Sequence, residues 1–301
     1  MRVLNFGSLN TDYVYRIDEF LLPGETKPAL SRNIIPGGKG LNQSVALACA
    51  GAEVFHAGII GNDGALLRDF LIKNGVHADY LLSDDDVGGH TIIQVDKKGQ
   101  NKIILYGGTN RKLTTEFIDK ILADFGKGDI VLVQNETNLV DYIIEKAYEK
   151  GLETVFNAAP ISKEVANYPL HLVNWLIVNE VEGAVLAGTN NPDDILTNLG
   201  ESYENTTIFL TLGSEGCCCF SKDGICKMEA IPVERVVDTT AAGDTYIGYL
   251  IKARIDGLSL KDAMLKAQVA SSISIQRFGA ATSVPSSAEV EKDFKELKTK
   301  L

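Results

Sequence analysis

The sequence predicts an α/β fold with three layers: an open, mostly parallel sheet, helices on both of its faces, and a small β-sheet lid. Short apolar runs of strand length alternate along the chain with amphipathic stretches of helical length. Two segments of hairpin pattern interrupt that alternation. The 301 residues are 45% hydrophobic and 23% charged, a composition that supports a folded core and excludes disordered, collagenous and coiled-coil chains.

Six strands and six helices are predicted from this alternation. The strands are expected at residues 3–7, 54–60, 130–133, 154–156, 175–178 and 207–210. The helices are expected at residues 40–50, 65–74, 115–124, 139–149, 243–255 and 260–276. Such alternation gives right-handed crossovers and parallel strands. Because no linker or repeat divides the chain, we expect one domain over residues 1–301.

Two hairpin-like segments predict the lid. Residues 13–17 and 29–35 read as strands joined by LLPGETKP, and residues 91–95 and 102–106 flank the turn-rich DKKGQN. Together they suggest a small antiparallel sheet from about 12–35 and 89–107, suited to a lid or a dimer contact. An edge extension of the main sheet is an equally open alternative.

Charge and cysteine content narrow the function classes. The formal net charge is −11, from 29 Lys+Arg and 40 Asp+Glu, so we expect no nucleic-acid partner and no anionic membrane partner. No apolar run approaches the roughly 20 residues of a membrane span. The start lacks the features of a signal peptide, and the consecutive Cys217, Cys218 and Cys219 suit neither a disulfide framework nor a zinc site. These patterns indicate a reduced, cytoplasmic protein.

The segment VVDTTAAGDTYIGYL, residues 236–250, predicts an anion site at a helix start. Small side chains there leave backbone N–H groups open, and the helix dipole favours a negative charge. Asp244 could accept the proton of an attacking hydroxyl, while the N–H groups of Ala242 and Gly243 neutralise charge on a transferred phosphoryl group. The competing interpretation is that Asp244 only stabilises the first helical turn.

Two further motifs, PGGKGLNQS and GSLNTD, could hold a polyol. Neither GxxxxGK[ST] nor GxGxxG is present, so the known phosphate-binding fingerprints do not apply. Lys39 and Asn42 can donate to hydroxyl groups, and Asn10 and Asp12 follow the first strand, where ligands of parallel sheets collect. Taken singly, each motif is also compatible with an ordinary turn or helix cap.

GSLNTD, GGKGLNQS and DTTAAGD occur in this order, and with them the chain resembles the ribokinase branch of the ribokinase and phosphofructokinase-B carbohydrate kinase family. The resemblance implies transfer of the γ-phosphoryl group of ATP to a sugar hydroxymethyl group, ribose in the first place, with Mg²⁺. It also implies a monovalent cation, K⁺, and a homodimer formed through the β lid.

The resemblance also implies roles for individual residues. Asp244 would be the catalytic base, with an anion hole formed by Ala241, Ala242 and Gly243. The sugar would contact Asn10, Asp12, Gly38, Lys39, Asn42 and Glu136. Magnesium and nucleotide contacts would come from Asn179, Glu182, Thr211 and Gly213. The monovalent cation would lie among Asp238, Thr240, Ser274, Arg277, Gly279 and Ser283.

The lid residues depart from the family pattern, and two alternative functions stay open. The lid carries the polar residues His90, Thr91 and Gln94 and, before GGTN, Tyr106, which could favour a sugar with an extra hydroxyl. A nucleoside kinase of the same fold would need an aromatic base pocket, to which Tyr13, Tyr15 or Tyr106 could contribute. A sensor without catalysis would keep the pocket and could dispense with Asp244.

Overall fold

The computed structural model describes residues 1–299 and contains two β-sheets. The strands are β1 Val3–Phe6, β2 Asn10–Arg16, β3 Ser31–Gly37, β4 Val54–Ile60, β5 His77–Ser83, β6 Gly89–Val95, β7 Asn101–Tyr106, β8 Ile130–Gln134, β9 Glu153–Asn157, β10 Trp175–Asn179, β11 Thr207–Thr211, β12 Cys217–Ser221 and β13 Gly224–Met228. All six strands predicted from the sequence are present.

The helices include the six that the sequence predicted. They are α1 Lys39–Cys49, α2 Ala65–Lys73, α3 Thr115–Leu122, α4 Val140–Glu149, α5 Glu180–Ala187, α6 Pro192–Ser202, α7 Ala242–Ile255, α8 Leu260–Ser274 and α9 Ser287–Lys298. Of these, α5, α6 and α9 were not predicted. Over the described range, none of the helices is both long and apolar enough to cross a membrane.

The main sheet has nine strands in the order β13-β12-β11-β10-β9-β8-β1-β4-β5. Pairing is parallel from β11 to β5, and β12 and β13 add an antiparallel edge. Successive residues of β1 belong to different apolar clusters: Val3 lies in the same cluster as Leu41 of α1, whereas Leu4 lies in the same cluster as Ile144 of α4. A strand buried on both faces needs a continuous apolar run. The predicted three-layer α/β class is confirmed.

The four-stranded lid sheet, with the order β3-β2-β6-β7, is separate from the main sheet, so an edge extension is wrong. The pairs β2–β3 and β6–β7 are antiparallel, as expected. The prediction of a wholly antiparallel sheet is wrong at β2–β6, which pair in parallel. The reason is topological: β2 follows the parallel strand β1, β6 follows the parallel strand β5, and both leave the main sheet at the same edge in the same direction.

Helices α1 and α7 approach each other closely at Gly248. A Cβ atom on Gly248 would lie 2.5 Å from the Cβ of Ala46 and 2.7 Å from the backbone nitrogen of Leu47. Two helices can come this close only where small residues face each other. This contact sets the distance between the N-terminal turns of α1 and α7.

We expect Gly248→Ala to lower the free energy of unfolding by roughly 1–3 kcal/mol, because the added methyl group must push α7 away from α1. Urea denaturation measures the change. Gly126→Ala is the matched control, since a Cβ at Gly126 meets nothing within 4 Å and its φ is not positive. Equal stability of the two variants would contradict the packing argument.

Candidate active site

Two adjoining cavities lie at the carboxyl ends of the parallel strands. The larger, of about 750 Å³, is lined by Asn179 at the end of β10 and Thr211 at the end of β11, among other residues. The smaller, of about 360 Å³, is lined by residues that include Asn10 and Glu136. Lys39 lines the larger cavity and donates its backbone N–H to the Glu136 carboxylate at 3.0 Å. The cavities therefore meet at the start of α1, where an open sheet binds ligands.

Asp244 lies in the first turn of α7, lines the larger cavity and is only 6% exposed. Its Oδ2 accepts a hydrogen bond from Asn42 Nδ2 at 3.0 Å, and its Oδ1 accepts one from Gln43 Nε2 at 2.8 Å. A carboxylate oxygen has two lone pairs, so each oxygen can still accept from a ligand. The two amides of α1 thus fix the carboxylate without saturating it.

The free backbone N–H groups at the start of α7 lie one residue later than the sequence predicts. Ala241 has φ 59°, in the left-handed region, and turns the chain into α7. The N–H of Ala242 donates to the Thr239 carbonyl, while within the described chain the N–H groups of Gly243 and Asp244 have no protein acceptor. A Cβ on Gly243 would meet nothing within 4 Å, so a ligand can approach this backbone closely.

Lys39 places a positive charge at the junction of the cavities. It begins α1 after Gly38, whose φ of 94° favours glycine. Burial alone would lower the pKa of the Lys39 ammonium, but the nearby carboxylates of Asp244, Glu136 and Glu182 outweigh burial and raise this pKa above its ordinary value. The ammonium is therefore charged and available to an anionic ligand in the larger cavity.

Several polar groups near the smaller cavity are held by the protein and retain free bonding capacity. Asn10 Oδ1 accepts from Asn110 Nδ2 at 2.8 Å, which leaves the NH₂ group of Asn10 for a ligand. Glu136 accepts from the Ser8 hydroxyl and from the Lys39 backbone. Asn42 Oδ1 is buried without a hydrogen-bond partner. A buried oxygen without a partner is costly, so a ligand hydroxyl is the expected partner.

Asp12 lies in lid strand β2 and has a strongly perturbed carboxyl group. Its Oδ1 accepts from Thr91 Oγ1 at 2.6 Å, and any Cβ on Gly37 would overlap the carboxylate. Burial raises the pKa of Asp12 from 3.8 to about 6; the Thr91 hydrogen bond opposes this shift, and the charge of Glu136 adds to it. The sequence predicts Asp12 as a site residue, but no pattern in the sequence indicates its contact with Thr91.

Asn179 and Glu182 form a capping box at the start of α5. The Asn179 side chain accepts from the N–H groups of Val181 and Glu182, and Glu182 Oε2 accepts from the Asn179 N–H at 2.9 Å. Burial raises the pKa of Glu182, partly offset by the Asn179 backbone and Lys39. Both residues line the larger cavity together with Thr211 and Gly213. This pair therefore stabilises the helix and also faces the ligand space.

The residues expected around a monovalent cation are only partly brought together. Asp238 accepts from the N–H groups of Thr240 at 2.9 Å and Gly279 at 3.1 Å. The buried Ser274 hydroxyl has no partner. Ser283 donates to the Ala280 carbonyl, and the Arg277 guanidinium pairs with Glu289. Arg277 could thus offer a cation only its backbone oxygen.

The structure also brings forward residues that the sequence analysis missed. Gln43 contacts Asp244, and Asn110 holds Asn10. Gln268 donates to Cys217 Sγ at 3.2 Å and lines a small cavity that shares Thr211 with the larger one. Gln43 belongs to the GGKGLNQS motif, which is the one sequence signal that could have identified it. Gln268 lies in a helix without any recognisable pattern.

Comparison with known proteins gives consistent matches. The model of the pfkB family carbohydrate kinases matches residues 2–287. The ribokinase of Haemophilus influenzae is 31% identical over 292 residues, covering 94% of this chain and 95% of that protein. A bifunctional ribokinase/ribose-5-phosphate isomerase A of Fructilactobacillus sanfranciscensis is 35% identical over 94% of this chain, which spans 54% of that protein. The structure of Arabidopsis thaliana ribokinase complexed with ribose and ATP has a TM-score of 0.86 and 28% identity, and covers 98% of both chains.

We expect Asp12→Asn to stabilise the fold at pH 7.5 by on the order of 2–3 kcal/mol, because the fold disfavours the ionised form of Asp12. Since the folded pKa is raised, this cost is absent well below pH 3.8, grows between 3.8 and about 6, and is complete above 6. The gain in Tm should therefore shrink at pH 5.

Thermal denaturation at both pH values measures the effect. Asp223→Asn, at an exposed turn, is the control and should leave Tm unchanged at either pH. A Tm of Asp12→Asn at or below that of the wild type at pH 7.5 would show that burial does not dominate at this carboxyl group.

Proposed function

This chain belongs to the pfkB family of carbohydrate kinases, and we propose that it transfers the γ-phosphoryl group of ATP to the hydroxymethyl group of ribose. The observation that carries the proposal is the placement of Asp244. Its carboxylate is held by two amides at the N-terminal turn of α7, beside free backbone N–H groups and in a cavity that adjoins a smaller polar one. The ribokinase relatives support ribose as the sugar.

In the proposed reaction, Asp244 accepts the proton of the sugar hydroxymethyl group. The alkoxide oxygen bonds to the γ-phosphorus as the bond from phosphorus to the β–γ bridging oxygen breaks, and ADP leaves with the electron pair. The N–H groups of Gly243 and Asp244 and the ammonium of Lys39 offset charge on the transferred group. Ala241 and Ala242 contribute by turning the chain so that these amides face the cavity.

The sugar is proposed to bind under the lid through its hydroxyl groups. Asp12 and Glu136 accept hydrogen bonds, and Asn10 donates from its NH₂ group. The unpartnered Oδ1 of Asn42 accepts from a hydroxyl, which satisfies an atom that is otherwise buried alone. Gly38 has no side chain, so its backbone can approach the sugar ring closely. Its positive φ also favours glycine at this position.

The nucleotide is proposed to occupy the larger cavity, with Thr211 and Gly213 among its contacts. The described residues include no group of three or more His, Cys, Asp or Glu that could hold a metal ion, so a divalent ion must come with the phosphates. The carboxylate of Glu182, held by Asn179, would supply the oxygen ligands that Mg²⁺ prefers, directly or through water. When bound, Mg²⁺ neutralises phosphate charge.

We also propose a potassium-type site beside the anion site, formed by Asp238, Thr240 and the segment from Ser274 to Ser283. The fit is supported by the buried Ser274 hydroxyl, which lacks a partner, and by the contact of Asp238 with the Gly279 backbone. Hydroxyl and carbonyl oxygens suit an alkali cation.

The nucleoside alternative is weakened by the direction of the lid side chains. Successive residues of a strand point to opposite faces, so Tyr13 lies on the face opposite Asp12. His90 is on the same outer face, where its ring lies 6.0 Å from the Tyr13 ring, and Gln94 follows by the same alternation. Thr91 faces the proposed sugar site, because its hydroxyl donates to Asp12. Tyr106 pairs with His90 across β6 and β7, and its ring lies 5.1 Å from the His90 ring, so its side chain is on the outer face although the residue borders the smaller cavity. This pattern favours a small sugar over a nucleoside.

A second copy of the chain is the partner that we propose for the outer face of the lid. The register aligns Ile34, Tyr13, Ile92 and Ile104 in one row across all four strands. The three isoleucines are 48%, 38% and 65% exposed. An apolar row of this kind is suited to a homodimer contact. The cytoplasmic location expected from the cysteine pattern stays a prediction.

We expect Asp244→Asn to lower kcat for ribose by about two to four decades, because the proton acceptor is lost while the site keeps its shape. ADP release with Mg²⁺-ATP measures turnover, and calorimetry measures ribose binding, which should persist. Asp256→Asn, at the exposed C-terminal end of α7, is the control. Near-normal turnover of Asp244→Asn would refute the assignment of Asp244 as the base. A wild-type chain that is inactive on ribose but active on another sugar would refute the proposal that ribose is the substrate.

Replacing K⁺ by a large organic cation at constant ionic strength is expected to lower kcat several-fold, because the oxygen-lined site admits only a small bare cation. Steady-state ADP release at saturating ribose and ATP is the measurement. Activity that is indifferent to the exchange would remove the potassium proposal and leave the kinase proposal intact.

A further inference from the structure

The amides behind Asp244 form a buried hydrogen-bond network in which each donor and acceptor has only one possible assignment. Gln43 Nε2 donates to Asp244, and Gln43 Oε1 accepts from Gln134 Nε2 at 2.7 Å. Gln134 Nε2 gives its second hydrogen to Asn5 Oδ1 at 3.0 Å. Asn5 Nδ2 in turn donates to the Gly40 carbonyl at 2.8 Å. A carbonyl and a carboxylate can only accept, so the two ends fix which way every amide in between must point.

A second branch ends on another carbonyl. The ring nitrogen Nε2 of His56 lies 3.2 Å from the Gly7 carbonyl and must carry the hydrogen. Burial lowers the pKa of His56 to about 4, so the ring is neutral and its Nδ1 accepts from the Ser44 hydroxyl. Ser44 Oγ then accepts from Asn5 Nδ2 at 2.8 Å. This branch confirms the orientation of Asn5 independently of Asp244.

Water cannot rescue a wrong orientation in this network. Asn5 and Gln43 have no exposed surface, and Gln134 is 1% exposed. If the Gln43 amide turned over, its oxygen would face the Asp244 carboxylate and its NH₂ group would face the NH₂ group of Gln134. Both contacts are repulsive, and a buried polar group without a partner costs about 1–3 kcal/mol.

We propose that Gln43 is a positioning residue for Asp244, and that Gln134 determines which end of the Gln43 amide faces the carboxylate. The inference rests on the proposed role of Asp244 as the base. Asn42 also holds Asp244, but its unpartnered Oδ1 is a proposed sugar contact, whereas Gln43 contacts only protein groups. Gln43 Nε2 donates to Asn157 Oδ1 at 3.0 Å as well as to Asp244. Of these two partners, only Asp244 takes part in the proposed proton transfer, so Gln43 acts on that step through the orientation of Asp244.

The test is a double-mutant cycle between Gln43→Met and Asp244→Asn. Methionine keeps the length of the side chain but cannot donate, so Oδ1 of Asp244 loses its fixed donor. We expect Gln43→Met to lower kcat about tenfold or more and to leave the KM values for ribose and ATP within a factor of two. In the Asp244→Asn background the same substitution should cause no further loss of kcat.

Gln134→Met is the second variant, because it leaves Gln43 in place and removes the donor that orients its amide, together with the hydrogen bond to Asn5 Oδ1. It should lower kcat less than Gln43→Met does, and the two effects should not add. Thr206→Val is the stability control: it deletes a buried hydrogen bond to the Val173 carbonyl at the opposite edge of the sheet. Its kcat should equal that of the wild type at a comparable loss of Tm.

The outcomes separate this inference from the proposed function. If Asp244→Asn keeps its turnover, the assignment of the base fails. If Asp244→Asn is impaired but Gln43→Met and Gln134→Met turn over like Thr206→Val, the positioning inference fails and the base assignment stands. An unchanged effect of Gln43→Met in the Asp244→Asn background also overturns the inference. If Gln43→Met does not fold, the cycle is carried out with Gln134→Met under the same criteria.

Discussion

The close contact between α1 and α7 is the constraint on which the rest of the site depends. Gly248 lets α7 pack against Ala46, and the N-terminal turns of the two helices are thereby held side by side. The amides of α1 can then reach Asp244 on α7 although they are about 200 residues apart in the chain. Through this packing, the proposed sugar contacts on the first helix and the proposed anion site on the second lie next to each other.

The site contains polar groups that the fold alone does not satisfy. Asn42 Oδ1 and the Ser274 hydroxyl are buried without partners, and Asp12 is held in surroundings that disfavour its charge. Such groups reduce stability, whereas the strands around them are apolar and fully packed. Local violations of this kind concentrate where a protein binds ligands. Asn42 and Asp12 belong to the proposed sugar contacts, and Ser274 belongs to the proposed cation contacts.

The sequence predicted most of the fold because buried parallel strands give an unambiguous apolar pattern. It missed β12, a short antiparallel strand whose first three residues are Cys217, Cys218 and Cys219. It also missed β5, whose residues are mostly exposed. The parallel pairing of β2 with β6 depends on how distant strands leave the main sheet, which no local pattern contains.

Within the site, motifs of small residues located the helix starts, but not the partners across the cavity. Asn42 was predicted from its type as a sugar contact, whereas its neighbour Gln43 gave no signal, because its role arises only where α1 meets α7 and β8. Likewise, the capping box of Asn179 and Glu182 reads as an ordinary helix start until the cavity is seen beside it.

The parallel pair β2–β6 also imposes an order on the assembly of the molecule. β2 can pair with β3 as soon as residue 37 has been synthesised, but Asn10 meets Gly89 only after the intervening α1, β4, α2 and β5 have been made. Closing that long loop costs entropy that the packed body must first offset. The complete lid sheet therefore forms later than its β2–β3 hairpin, and a ribosome-bound fragment that ends before β6 would carry that hairpin without the later strands and helices that line the two cavities.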